Sequence, residues 1–72
     1  MNHIDLTGLK CPEPMMMLRR TVRKMSAGEE LKILADDPST TRDFPKFCEF
    51  QNHTMVSMNT ESETYEYVIK KG

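Results

Sequence analysis

The stretch GLKCPEPMMMLRR, residues 8–20, places a cysteine directly before two prolines and a run of residues that favour helix. Pro12 suits the first position of a helix, because that position needs no N–H and the φ angle of proline is already helical. Apolar residues then recur at spacings of three and four, which predicts a helix from Pro12 to about Met25. The apolar stripe of this helix comprises Met15, Leu18, Val22 and Met25. Gly28 suits the left-handed backbone position that follows a helix end.

Alternating segments flank this helix on both sides. Apolar and polar residues alternate from His3 to Leu6, which predicts a short first strand. They alternate again from Glu30 to Ala35, and this second strand runs into the acidic turn of residues 36–38. A strand, a helix and a strand in this order predict a βαβ unit with a right-handed parallel crossover.

The second half of the chain predicts one more helix and a hairpin. Asp43 is expected to be the N-cap of the helix, with Pro45 in its first turn, where a missing N–H is harmless. The inner face of this helix is expected to comprise Phe44, Phe47, Cys48 and Gln51. From His53 onward the chain alternates twice, first through Thr54, Val56 and Met58 and then through Tyr65, Tyr67 and Ile69. The polar segment NTESE, residues 59–63, is the expected hairpin turn.

The predicted order of elements is therefore βαβαββ, in one domain that spans residues 1–72. We expect an α/β (α+β) two-layer sandwich, in which a four-stranded mixed sheet carries two helices on one face. A domain of this size buries only about 60% of its unfolded surface, so an active site has to be simple and shallow.

Composition restricts the partners and the compartment. Ten Lys and Arg residues against eleven Asp and Glu residues give a net charge of −1, so no global field favours a nucleic acid or an anionic membrane. No apolar stretch is long enough for a signal peptide or a membrane span. The two cysteines are therefore expected to be reduced thiols of a cytoplasmic protein, and no metal or organic cofactor is expected.

Cys11 is the candidate reactive group. A cysteine at a helix start lies near unsatisfied N–H groups and the positive end of the helix dipole, which favour the nucleophilic thiolate. Pro12 and Pro14 remove two of those N–H donors, and Glu13 adds a negative charge. These features limit the activation of the thiol, which argues against attack on an inert carbon centre. They suit an exposed thiol that accepts sulfur from one protein and passes it to another.

A second candidate feature is the outer face of the first helix. Met16 is expected to be exposed among basic residues on the side opposite the apolar stripe. With Arg19, Arg20 and Arg23 it is predicted to form a docking face for an acidic partner, and an ordinary solvated helix surface is the alternative. Asp36 and Asp37 are further predicted partner contacts, although two carboxylates at a strand end are expected only to solvate a turn.

The segment IDLTGLKCPEP, residues 4–14, resembles the signature of the TusA/SirA-like sulfur carrier family: a hydrophobic residue and Asp, then Gly, then Cys-Pro-x-Pro. The segments ILADDPSTTRDFPKFC, residues 33–48, and YEYVIKKG, residues 65–72, extend the resemblance over nearly the whole chain. The motif residues matched in this chain are Asp5, Gly8, Cys11, Pro12, Glu13 and Pro14.

The resemblance implies a sulfurtransferase that acts as a sulfur carrier. Cys11 would accept a persulfide sulfur from a cysteine desulfurase and pass it to a downstream relay complex for 2-thiolation of the tRNA wobble uridine. Cys48 would match a second cysteine that does not carry sulfur. Family members also supply other pathways, including molybdenum cofactor assembly, so the pathway stays open.

Two other classes of function remain as alternatives. A small βαβαββ domain can present its sheet to RNA, although the near-neutral charge and the lack of paired aromatic residues on the first strands argue against this. A redox-sensing disulfide between Cys11 and Cys48 would require Cα atoms within about 7 Å.

Overall fold

The computed structural model describes residues 2–72. Its elements are β1 (Asn2–Asp5), α1 (Glu13–Arg23), β2 (Glu30–Ala35), α2 (Thr40–Gln51), β3 (Thr54–Asn59) and β4 (Tyr65–Lys70). The strands form one mixed sheet in the order β1-β2-β4-β3. β1 pairs with β2 in parallel, as the predicted βαβ unit requires, and the pairs β2–β4 and β3–β4 are antiparallel. The predicted fold class is confirmed.

The hydrophobic core lies between the sheet and the two helices. The strict alternation of β2 directs Leu31, Ile33 and Ala35 to the helix side, where all three are fully buried. β4 contributes Tyr67 and Ile69 from the same side, because they lie opposite Ile33 and Leu31 in the sheet. The helices cover these residues with Leu18, Val22, Phe44, Phe47 and Cys48. Every buried polar side-chain atom of residues 2–72 has a hydrogen-bond partner.

Helix α1 is slightly shorter than expected. It begins at Glu13, so that Pro12 occupies the N-cap and not the first helical position, and Pro14 is the second helical residue. Pro14 is buried, which shows that the second proline of the motif is also a core residue. Met25 lies beyond the last helical residue but remains buried with the predicted stripe.

Helix α2 begins one turn earlier than predicted, and Asp43 is not its N-cap. Ser39 holds that position, and the N–H of Asp43 donates to the Ser39 carbonyl as an ordinary helical bond. The prediction was wrong because Asp37 already organises the preceding turn, so helical hydrogen bonding starts there. Pro45 therefore lies inside the helix. Gln51, predicted to face inward, is exposed because it is the last residue of α2 and lines a groove.

The first half of the hairpin also differs from the simple alternation. A bulge between Met55 and Ser57 leaves Val56 without a partner in β4. Met55 and Met58 consequently lie opposite core-facing residues of β4, and the predicted common face of Thr54, Val56 and Met58 does not form. A bulge on an edge strand discourages pairing with another chain.

Candidate functional site

Cys11 lies in the loop between β1 and α1, next to the N-cap residue Pro12, and its side chain is exposed. Its peptide bond to Pro12 is cis. The loop follows Leu6, whose N–H donates to the Leu34 carbonyl at 2.7 Å and whose side chain is buried. The short connection from β1 therefore places the thiol at the edge of the molecule, at the end of the sheet where β2 also finishes.

A carboxylate from a distant part of the chain fixes the backbone of this cysteine. The N–H of Cys11 donates to Oδ2 of Asp37 at 2.6 Å. Asp37 is the second residue after β2, and its side chain is only 9% exposed. The same carboxylate accepts the N–H of Ser39 at 3.2 Å and its hydroxyl at 3.0 Å. Asp37 thus joins the Cys11 loop to the start of α2.

Two further carboxylates organise the same loop. The N–H of Gly8 donates to both oxygens of Asp36, at 3.0 and 3.2 Å. Gly8 has a φ of +83°, a conformation that glycine adopts without the steric cost that a side chain would bring. Asp5 accepts the N–H and the hydroxyl of Thr7 at 2.9 and 2.6 Å. Consequently Asp5 and Gly8, the Asp and Gly of the sequence motif, both stabilise the conformation of this loop.

The lowered pKa values of two of these carboxyl groups agree with their contacts. The N–H of Cys11, followed by that of Ser39, holds the pKa of Asp37 below its ordinary value. The hydroxyl and the N–H of Thr7 likewise lower the pKa of Asp5. Both side chains are therefore ionised acceptors at neutral pH, which strengthens hydrogen bonds to neutral N–H donors. The expectation that Asp36 and Asp37 only solvate a turn was wrong.

The first turn of α1 has few N–H groups available to an anion. The N–H of Glu13 donates to the Lys10 carbonyl, Pro14 has none, and the N–H of Met16 donates to the Pro12 carbonyl. Within residues 2–72, the N–H of Met15 is the one in this turn without such a bond. The prediction that the prolines reduce the donors around the thiol agrees with this geometry.

The second cysteine has the opposite environment. Cys48 is 3% exposed on the inner face of α2, as predicted, and burial raises its pKa to about 11. Cys11 and Cys48 are both free thiols. Cys48 is thus a buried, protonated core residue at neutral pH.

Among the described residues, 2–72, no hydrogen bond joins a histidine to Cys11. His53 lies against Phe47, with ring centroids 5.3 Å apart, and its Nδ1 accepts the N–H of Gly72 at 3.0 Å. Desolvation, together with the charge of Lys71, lowers the pKa of His53. His3 is exposed on β1. Within residues 2–72 no group of three or more His, Cys, Asp or Glu side chains could hold a metal ion.

The basic face of α1 is present, and the structure divides it into two sides. Met16 is 59% exposed, as expected from the helical pattern, and the three arginines are exposed. Arg19 and Arg23 line the groove between α1 and α2, whereas Arg20 lies toward β1. Phe50, 81% exposed on α2, lines an adjoining groove with Arg19 and Lys46. Sequence reasoning did not identify Phe50, although an aromatic residue off the inner face was a usable signal.

The open face of the sheet bears on the RNA alternative. It carries the ion pair between Lys32 Nζ and Glu66 Oε1, 3.1 Å apart, with the half-buried Leu34 beside it. Tyr65 and Tyr67 lie opposite Ala35 and Ile33 and therefore face the helices. Within the described residues this face thus carries no Phe, Tyr or Trp, and the lone ring of His3 does not make the paired aromatic platform on which bases stack. No helix within residues 2–72 is long and apolar enough to cross a membrane.

Comparison with known proteins agrees with this architecture. The sequence matches the family described as Sulfurtransferase TusA over residues 2–71. The crystal structure of a SirA-like protein from Desulfitobacterium hafniense superposes with a TM-score of 0.85 at 22% identity, covering 100% of this chain and 99% of that chain. At that identity the superposition establishes the fold, whereas the family match extends over the loop that holds Cys11. The chain belongs to the TusA family of sulfurtransferases.

Proposed function

We propose that this protein is a sulfur carrier in which Cys11 holds the transferred sulfur as a persulfide. The observation that carries the proposal is the contrast between its two thiols: Cys11 is exposed at the edge of the molecule, and Cys48 is buried. Membership of a sulfurtransferase family supplies the general role. An exposed thiol is what two large protein partners would need in order to reach the sulfur in turn.

The chemistry needs no external oxidant. The Cys11 thiolate attacks the terminal sulfur of a persulfide on the donor protein. A new S–S bond forms at Cys11, the S–S bond of the donor breaks, and the donor leaves as a thiolate. The acceptor thiolate then repeats the step on the terminal sulfur held by Cys11, as in ordinary thiol–disulfide exchange.

The expected partners are a cysteine desulfurase as donor and a downstream sulfur-relay complex as acceptor. Their docking is assigned to the outer face of α1, with Met16 as an apolar contact among Arg19, Arg20 and Arg23. Asp36 and Asp37 stay predicted partner contacts. Both carboxylates already accept hydrogen bonds within the molecule, from the N–H groups of Gly8 and Cys11. The proposed compartment is the cytoplasm, and neither a cofactor nor direct binding of nucleic acid is required.

The decisive experiment incubates the protein with a cysteine desulfurase and L-cysteine, followed by mass spectrometry of its peptides. We expect the Cys11 peptide to gain one sulfur atom and the Cys48 peptide to gain none. Cys11→Ser should abolish the gain and leave the fold intact, because an exposed residue beside a helix start contributes little packing. Loading of Cys11→Ser at the wild-type level would contradict the proposal.

The proposed pathway is 2-thiolation of the tRNA wobble uridine. It is tested by expressing the protein in a bacterial strain that lacks its own carrier and measuring 2-thiouridine in bulk tRNA. Restored 2-thiouridine that depends on Cys11 would support this pathway. Restored molybdoenzyme activity without 2-thiouridine would assign the carrier to molybdenum cofactor assembly instead.

A further inference from the structure

We infer that Asp37 is a positioning residue for sulfur transfer: its carboxylate fixes the backbone of Cys11 and thereby aims the sulfur at the incoming partner. This inference rests on the proposed function and adds a residue to it. Asp37 is separated from Cys11 by 26 positions in the sequence, and its side chain is nearly buried. It therefore acts on the thiol through the backbone and is not itself a reacting group.

The first step of the argument concerns the strength of the contact. A loop N–H at the surface is ordinarily satisfied by water, at no cost to the fold. Here the Cys11 N–H instead meets a charged oxygen at 2.6 Å. Hydrogen bonds with an ionised partner are shorter and roughly twice as strong as neutral ones. The bond therefore opposes movement of the Cys11 backbone.

The second step concerns how backbone position controls the sulfur. Cysteine has one side-chain torsion, so a fixed backbone leaves the sulfur about three staggered positions. On the other side of Cys11, the ring of Pro12 fixes the next φ angle. The hydrogen bond from the Cys11 N–H to Asp37 and the ring of Pro12 on the carbonyl side of Cys11 thus limit where the sulfur can lie. Persulfide transfer requires the attacking sulfur to meet the donor sulfur along the S–S bond, and about 1 Å of misplacement can slow a reaction about 100-fold.

The third step concerns what holds Asp37 itself. Its carboxylate also accepts the N–H and the hydroxyl of Ser39. Its own carbonyl accepts the Thr40 hydroxyl at 2.8 Å, and this hydroxyl contacts the Tyr67 hydroxyl, also at 2.8 Å. Thr40 and Tyr67 are fully buried. Asp37 therefore connects the backbone of Cys11 to the buried core by hydrogen bonds, so the position of Cys11 depends on more than its own loop.

The test compares Asp37→Ala with Ser39→Ala, since Ser39→Ala removes one bond to the same carboxylate and leaves the bond to Cys11 in place. Persulfide transfer from a loaded cysteine desulfurase is followed over a range of donor concentrations. We expect Asp37→Ala to lower the transfer rate at saturation about tenfold or more with KM changed less than about twofold. Ser39→Ala should keep the wild-type rate. Asp37→Asn, which retains one carbonyl oxygen for the Cys11 N–H, should recover part of the loss.

A second readout is independent of sulfur transfer. Hydrogen–deuterium exchange of the Cys11 amide should be slowed in the wild type and in Ser39→Ala, and accelerated about tenfold or more in Asp37→Ala. Alkylation of Cys11 by a small reagent should change little in Asp37→Ala, because the thiol stays exposed. Thermal unfolding of each variant identifies the temperature range in which all of them are folded.

The outcomes separate the inference from the proposed function. Transfer by folded Asp37→Ala at the wild-type rate, or an equal loss in Ser39→Ala, would overturn the positioning role. A raised KM at an unchanged saturating rate would show that Asp37 acts in docking and would also overturn it. If the wild type accepts no sulfur although its Cys11 amide is protected by Asp37, then the proposed function has failed and the contact is structural only.

Discussion

The two cysteines show how position in the fold assigns different chemistry to one residue type. Cys11 is exposed on a loop whose backbone is fixed by carboxylates, whereas Cys48 is packed in the core and has a pKa of about 11. A thiol with that pKa is almost entirely protonated at neutral pH, and the thiolate is the reactive form. Sulfur transfer should therefore depend on Cys11 alone.

Cys48→Ala tests this at the residue scale. We expect it to keep most of the sulfur transfer and to lower the free energy of unfolding by about 1 kcal/mol, through a small cavity beneath α2. Transfer is measured by mass spectrometry and stability by urea unfolding. Loss of transfer in a folded Cys48→Ala protein would show that both thiols take part.

The raised pKa of Cys48 predicts that the effect of Cys48→Ala on the free energy of unfolding depends on pH. The pKa of Cys48 rises from an ordinary 9.0 to about 11 on folding, so protonated Cys48 favours the folded state. That contribution is fully present below pH 9 and is lost as the pH rises toward 11. The stability difference between wild type and Cys48→Ala should therefore shrink between about pH 9 and about pH 11. A constant difference over that range would mean that the thiol is not desolvated.

At the scale of elements, the start of α2 serves two purposes. Asp37 and Ser39 organise the turn from which the helix begins, and the same carboxylate binds the Cys11 loop. The Thr40 hydroxyl donates its hydrogen to the Asp37 carbonyl, so the Tyr67 hydroxyl must be the donor in its bond to Thr40. β4, α2 and the Cys11 loop are thereby connected through polar contacts.

Tyr67→Phe tests this connection. It removes one buried donor but leaves Thr40 bonded to the Asp37 carbonyl, so the turn should persist. We expect the free energy of unfolding to fall by about 0.5–1.5 kcal/mol and sulfur transfer to stay within about twofold of wild type. Urea unfolding and the transfer assay measure the two effects. A loss of transfer as large as that expected for Asp37→Ala would mean that the core hydroxyl pair also controls the thiol.

Elements were predictable from sequence where one local pattern decides them. The alternation of β2 and the helical spacing of α1 predicted the buried residues except Met15, which is only partly buried, and the position of Cys11 before α1 predicted an exposed thiol. The bond from Cys11 to Asp37 left no such signal, because its partners are 26 positions apart and two adjacent aspartates also suit a solvated turn. The early start of α2 has a local cause instead, since Asp37 bonds to Ser39 two residues later, and the sequence prediction missed it by choosing Asp43 as the N-cap. Contacts that arise only from tertiary placement override local propensity.

At the scale of the whole molecule, the two faces of the sandwich differ in what they offer a partner. The sheet's open face carries an ion pair and has no exposed Phe, Tyr or Trp within the described chain. The helix side has exposed Met16 and Phe50, together with arginines of α1 that form no salt bridge within residues 2–72. With a net charge of −1, this local excess of positive charge is not a property of the whole surface. It favours a partner whose contact region is acidic.

Arg19→Glu combined with Arg23→Glu should slow sulfur loading by a donor, because both side chains line the groove between α1 and α2. Exposed charges at an interface act mainly on the rate of encounter, so added salt should slow the wild type and reduce its advantage over the variant. Lys24→Glu combined with Lys70→Glu is the matched control, since it makes the same change in net charge on exposed residues outside this groove. It should load faster than the arginine variant.

The arginine variant should leave the intrinsic reactivity of Cys11 unchanged. Arg19 and Arg23 lie two and three turns along α1 from the cysteine, at about 1.5 Å per residue, and the effect of a helix terminus falls off within one turn. Alkylation of Cys11 by a small neutral reagent should therefore proceed at equal rates in wild type, control and variant. If the loading rates of the three proteins are also equal across the salt series, the arginines are solvated surface, and the donor must instead bind the Cys11 loop itself.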